Sequence, residues 1–292
     1  MKLLHTETAD GLRLPGFLCE TPSDTGLLLI HGMGGCFIEN PYAQVLAEEL
    51  PKAGINFLYG HNRGYSSIND IRTTTRDGNN WRAIKRTGRA YERFADCVYD
   101  ITAWLHEARR LGWKKIFIAG YSLGGPKLVY SLPQLTGDDI KGFALLSAAD
   151  MVGLGKKDPS YQRLLADARQ NVKSGELLKL LNGQFWGEDA LLSSQTFLDL
   201  FEEGGPADIL PLYRKPVCIP ALATIKQPLL ILFGERDDVA IDDIPTDLAN
   251  FVAQAKNAKK ITTKIIAGAP HSYENHEQEL AETLVHWIKD CL

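Results

Sequence analysis

Ser122 stands between two glycines in the run Gly120-Tyr121-Ser122-Leu123-Gly124, with Ile116, Phe117 and Ile118 before it and Leu128 and Val129 after it. The first three read as a short strand and the last two as the buried side of a helix, so the serine falls on a tight elbow between them. Glycines two positions to either side leave room for that turn and for close strand–helix packing, which presents the hydroxyl at the edge of a sheet. The chain has 26 glycines, so the bare G-x-S-x-G spacing carries little weight. The strand and the helix around it carry the reading. A serine hydroxyl is a poor nucleophile near neutral pH and needs a base within hydrogen-bond reach, itself oriented by an acid.

Seven histidines compete for the role of base. His5, His106 and His286 fall on a strand or helices of ordinary pattern. His271 follows the strand-like run TKIIAGA in Gly268-Ala269-Pro270-His271-Ser272, where the chain leaves the sheet on the edge that carries the elbow. His276 is the nearest rival, but it begins the last helix. The acid is expected on a loop between Ser122 and His271, and Asp237 at the end of LLILFG is favoured, with Asp238 and Asp150 as alternatives. The oxyanion of a tetrahedral intermediate needs donors fixed in advance. Two backbone N–H groups qualify: that of Leu123, after the serine, and that of Met33, in the loop His31-Gly32-Met33-Gly34-Gly35. That loop lacks both the G-x-G-x-x-G spacing and the G-K-[ST] ending of nucleotide-binding turns.

The elements that must hold these residues alternate along the chain. A hairpin is expected over residues 1–20 around Asp10-Gly11, then a wholly apolar strand over 26–30, a helix over 41–54 stopped by Gly54, and a strand over 55–60. Residues 66–87 read as a long irregular loop. A helix over 91–112, with Phe94, Val98, Ile101, Leu105 and Ala108 as its buried stripe, leads to the elbow strand, and another strand covers 140–148. The alternation then stops. Residues 150–226 read as helical pieces without a strand, among them GELLKLLNGQFWG and ADILPLYR, before strand and helix resume at 227. The fold class is therefore α/β, a mostly parallel central sheet with crossover helices, its core domain formed by residues 1–149 and 227–292 and interrupted by a helical insertion at 150–226.

Thirty-two basic and 36 acidic residues give a net charge of −4, and no global basic field points to nucleic acid or an anionic membrane. No apolar run approaches the length of a membrane span, and the N-terminal stretch is too short in apolar residues for a signal peptide. Five scattered cysteines without a C-x-x-C pair fit neither a disulfide framework nor a structural zinc site and suit a reducing cytoplasm. No metal or organic cofactor is implied.

With HGMGG after the third strand, GYSLG at the elbow, GERDD after a later strand and GAPHS after the last, the chain resembles the α/β-hydrolase superfamily in that family's order of serine, acid and histidine. The resemblance implies a Ser122–His271–Asp237 triad, an oxyanion hole from the Met33 and Leu123 amides, and a helical cap formed by the insertion. The function expected is hydrolysis of a carboxylic ester on a small molecule through an acyl-enzyme. A thioesterase, an amidase or an acyltransferase would use the same parts, and a ligand-binding member of the fold is the reading from another class. Two sets of side chains are candidates for recognising substrate. Trp186 and Tyr213 would line an apolar cap. Arg72, Arg76 and Arg82 belong to a stretch from Arg63 to Arg93 in which eight cationic side chains face only Asp70, Asp77 and Glu92, a setting for an anionic group on the ester.

Overall fold

In a computed structural model that describes residues 1–74 and 83–292, eight strands form one sheet. Asp10-Gly11 closes the first hairpin, between β1 (Lys2–Glu7) and β2 (Arg13–Cys19). Gly11 takes a φ of +86°, and Thr8 Oγ1 accepts from the Leu12 N–H at 2.8 Å. The apolar run that follows becomes β3 (Thr25–Ile30), buried along its whole length. Helix α1 (Pro41–Lys52) carries the chain to β4 (Asn56–Gly60), which pairs parallel with β3 on one side and antiparallel with β2 on the other.

Within the stretch expected to be an irregular loop two short strands are present: β5 (Asn69–Arg72) and β6 (Ile84–Thr87) form an antiparallel ribbon, with only Ile71 and Thr87 turned inward. So short and polar a pair shows no alternation that would have announced it. Helix α2 (Cys97–Arg110), ended by Gly112 at φ +88°, then crosses to the far side of β3 and delivers β7 (Lys115–Tyr121). Helix α3 (Gly124–Ser131) leads on to β8 (Ile140–Leu146).

Between β8 and β11 (Leu229–Arg236) lie α4 (Met151–Lys157), α5 (Tyr161–Lys173) and α6 (Ser194–Phe201), with a small ribbon of β9 (Gln184–Phe185) and β10 (Glu188–Asp189). The two runs expected to be helical, GELLKLLNGQFWG and ADILPLYR, form turns and that ribbon instead. Glycines within the first and Pro211 within the second stop a helix before it gains a second turn. Phe185, Phe197 and Phe201 form the insertion's own core, with ring centroids 4.9–5.3 Å apart. The sheet ends with α7 (Ile244–Gln254), β12 (Ile261–Pro270) and α8 (Glu277–Asp290).

The strand order β1-β2-β4-β3-β7-β8-β11-β12 is parallel from β4 onward. Alternate residues of β3 supply two apolar layers: Leu28 and Ile30 face the side of α2 and α3, Leu27 and Leu29 that of α1 and α8. From β3 the chain turns to β4 on one side, and from β7 to β8 on the other. The carboxyl ends of β3 and β7 thus flank the switch point where such sheets bind ligands. No helix among the described residues is long and apolar enough to cross a membrane.

Candidate active site

Ser122 occupies the turn between β7 and α3 at φ +53°, a left-handed conformation that a residue with a side chain adopts only where its surroundings impose it. The two glycines of the elbow make it possible. A Cβ on Gly120 would stand 2.4 Å from the Gly124 carbonyl oxygen, and one on Gly124 would stand 2.2 Å from that of Ile30. Gly32, at the end of β3, meets the same restriction from the other side, since its Cβ would come within 2.8 Å of the Ser122 Cβ. The glycine-rich loop is thus pressed against the serine by backbone contact.

Ser122 Oγ lies 3.0 Å from Nε2 of His271, whose Nδ1 lies 2.8 Å from Oδ1 of Asp237. Parallel pairing of β11 with β12 brings the acid and the histidine to one edge, and a register shift between Gly234 and Arg236 turns the end of β11 toward His271. The Asp237 side chain is fully buried and also accepts from the Val239 N–H at 3.2 Å, while its Oδ2 has no partner among the described residues. Tyr121 was not singled out from sequence. Its ring stacks on His271 with centroids 5.1 Å apart, and its hydroxyl donates to the His271 carbonyl at 3.0 Å, so it holds the imidazole from behind. Its place beside the serine in the elbow was visible, but which side of the strand met the histidine was not.

The alternatives are placed elsewhere. Asp238 is exposed at the rim of the cavity. Asp150 caps α4, accepting from the Gly153 and Tyr213 N–H groups at 2.8 Å each, and burial pushes its carboxyl up to about 6. His276 precedes α8, its ring turned to the Glu274 carbonyl. Asp237, Asp238 and His271 also form a grouping that could offer ligands to a metal. Both ring nitrogens of His271 already face hydrogen-bond partners, the Asp237 carboxylate at Nδ1 and the Ser122 hydroxyl at Nε2.

The serine opens into a cavity of about 460 Å³. Met33 and Leu123 line it beside Ser122, and Met151, Leu154 and Trp186 bring apolar surface from the insertion. The loop bearing Met33 is fixed from below by His31. Its Nε2 accepts from the Asn62 N–H at 3.0 Å and its Nδ1 faces the Gly32 carbonyl at 2.7 Å, the tautomer that satisfies both atoms. Burial, reinforced by His61 and Lys127, holds the His31 ring well below the usual imidazole range and therefore neutral.

Among the proposed substrate-binding residues, Trp186 reaches the cavity and Tyr213 does not. The Tyr213 ring lies under the Lys156 ammonium, 4.0 Å away, and its hydroxyl faces Asp208. Arg72 is exposed on β5 and absent from the cavity wall, and Arg76 and Arg82 fall outside the described residues. Several other cations of that stretch are held in structural pairs. Arg63 is buried against Asp10, Asp96 and Asp100 at 2.8 Å each, Arg86 meets Asp70 at 2.9 Å, and Arg93 meets Asp199 at 2.7 Å. The carboxylates that bind them are mostly distant in sequence, which is why a count along the chain overstated the free positive charge.

A parallel sheet with its serine on a strand–helix elbow at the switch point defines the class of doubly wound hydrolase folds. The chain belongs to the alpha/beta hydrolase family, whose family model matches residues 27–283. No curated protein matches the sequence. Among solved structures it is similar to Est1E from Butyrivibrio proteoclasticus, with 18% identity and a TM-score of 0.63 over 100% of this chain and 99% of that one. The Pyrococcus furiosus esterase Pf2001 has 17% identity and a TM-score of 0.62 over 99% and 90% of the two chains. DcsB, in complex with its substrate analogue, has 14% identity and a TM-score of 0.67 over 100% and 99%. At such identities the likeness is one of fold.

Proposed function

We propose that the protein is a serine hydrolase that cleaves a carboxylic ester of a small molecule through an acyl-enzyme. The observation that carries this reading is the unbroken path from Asp237 through His271 to Ser122, opening on a cavity of about 460 Å³. In this mechanism Nε2 of His271 takes the Ser122 proton as Oγ attacks the ester carbonyl. Asp237 keeps the imidazole in the required tautomer and stabilises the imidazolium. The carbonyl oxygen becomes an oxyanion held by the Met33 and Leu123 amides. His271 then returns the proton to the departing alcohol, and water repeats the sequence to release the acid. Residues 150–226, which supply Met151, Leu154 and Trp186 to the cavity wall, act as a cap that sets substrate preference. An ester substrate agrees with the description of Pf2001 as an esterase.

A fluorophosphonate probe is expected to attach to Ser122 and to abolish turnover of a short-chain aryl ester, as Ser122→Ala should. Residual catalysis of roughly 10³ to 10⁴ over water remains compatible with the scheme, because binding and the oxyanion hole survive the loss of the nucleophile. An adduct on Ser147 or Ser272, or full turnover by Ser122→Ala, would refute it.

A further inference from the structure

Beside the main cavity lies a second one of about 200 Å³, and Met33 and Trp186 line both. The smaller chamber adjoins the first at these two shared side chains, beside the loop that bears Met33. Its walls are about as polar as apolar: Phe185, Ala190 and Leu192 stand beside two carboxylates, Glu188 and Asp189, and, among the described residues, one cation, Arg89. The stem of Arg89 lies along that same loop, where a Cβ on Gly34 would come within 3.1 Å of the Arg89 Cδ.

The guanidinium is poorly satisfied. Its Nε is buried and has no acceptor among the described residues. Its Nη2 is 3.9 Å from a Glu188 carboxylate oxygen, beyond hydrogen-bond distance. The Glu188 side chain is 75% exposed, so this contact is screened by water. Asp189 is likewise exposed at the rim. Arg63, Arg86 and Arg93, from the same part of the chain, each make an ion pair at 2.9 Å or less. Arg89 departs from them by keeping a buried donor without an acceptor among the described residues, in the wall of the smaller cavity. A planar guanidinium receives a carboxylate through two parallel bonds, and charge assistance makes each roughly twice as strong as a neutral bond.

We propose that this chamber binds a carboxylate carried by the substrate at the end remote from the scissile ester, with Arg89 as its specificity-determining residue and Glu188 as the loose partner the ligand displaces. The proposal rests on the ester-hydrolase reading and adds the substrate class, half-esters of dicarboxylic acids.

The test compares para-nitrophenyl hydrogen adipate and suberate with the matching para-nitrophenyl alkanoates, reading the ratio of kcat/KM for acidic over neutral ester. At low salt the ratio should favour the acidic esters by about tenfold. The preference should decline as salt rises, since the rim is open to screening. Arg89→Gln should erase it, Arg89→Lys should keep part of it as a point charge without the fork, and Glu188→Gln should raise it by freeing the guanidinium. Equal ratios at low salt, or a preference that survives Arg89→Gln, would overturn the proposal. Titrating adipate into Ser122→Ala provides a readout without turnover: saturable binding that Arg89→Gln removes supports the chamber, and its absence refutes it. Failure of the underlying chemistry would appear separately, as probe adducts away from Ser122.

Discussion

Asp237 and Asp238 are neighbours of identical chemistry in different surroundings. The first is sealed beneath His271 with one oxygen on its Nδ1, whereas the second stands in solvent at the cavity rim. Only a carboxylate on Nδ1 fixes the tautomer that leaves Nε2 free to accept the serine proton. Asp237→Asn should therefore lower kcat by about 10⁴ and slow probe labelling of Ser122. Asp238→Asn should have a far smaller effect on both. A greater loss in Asp238→Asn, with both variants folded by circular dichroism, would reverse the assignment. The sequence favours Asp237 but leaves Asp238 and Asp150 open, because a backbone register shift decides which carboxylate turns inward. Ser122 and His271 are easier to read, since each directly follows a strand at the edge where the chain leaves the sheet. Arg89 was one cation among eight, and no spacing marked it as the one left beside the cavity with an unmet donor.

At the scale of elements, what was legible followed from burial on a regular period. β3 and β7 are apolar runs because both faces of each are covered, and α2 shows its stripe because one face alone meets the sheet. The insertion was less legible, since its cohesion comes from aromatic contacts between residues far apart in sequence rather than from a repeating face. Trp186 illustrates this. It stands on the turn of the β9–β10 ribbon at φ +55°, its N–H donating to Asp158 at 2.6 Å and its ring stacked on Phe185 with centroids 4.6 Å apart. The ribbon thus holds an indole, 42% exposed, over both cavities. If the insertion sets substrate preference, Trp186→Ala should change the ratio of kcat/KM between an aromatic and a short aliphatic acyl ester by about tenfold, the scale of a lost apolar contact in a pocket. An unaltered ratio, measured alongside Ser122 labelling, would remove the insertion from substrate selection.

Across the whole molecule, the loop bearing Met33 rests on a buried polar layer. His31 and His61 lie there beside Asn62, Arg63 pairs with Asp100, and Lys127 meets both Asn62 and Glu92. These groups make the site's foundation sensitive to acid. Burial drives the His61 imidazole down to about 4, opposed by its contact with the Pro15 carbonyl, and its Nε2 must stay unprotonated to accept from the Phe37 N–H at 3.3 Å. In the unfolded chain the same ring titrates near 6.5. A base with a lowered folded pKa contributes stability that is present above 6.5 and is lost as pH falls toward 4. For His61 alone the loss between pH 7.5 and pH 5 is about 2 kcal/mol. Buried Asp150, Glu92 and Asp100 act in the opposite sense, because burial raises their carboxyl pKa values and acid favours their folded, protonated forms. A pH series on the native protein therefore mixes the two directions, and a comparison with His61→Asn isolates the histidine, since the carboxylates titrate in both proteins. Urea unfolding at pH 7.5 and pH 5 should show the His61→Asn protein losing about 2 kcal/mol less on acidification than the native one, whatever its stability at pH 7.5. Equal losses would mean that His61 is not held neutral by the fold, and that the loop carrying Met33 has no acid-sensitive support from this ring.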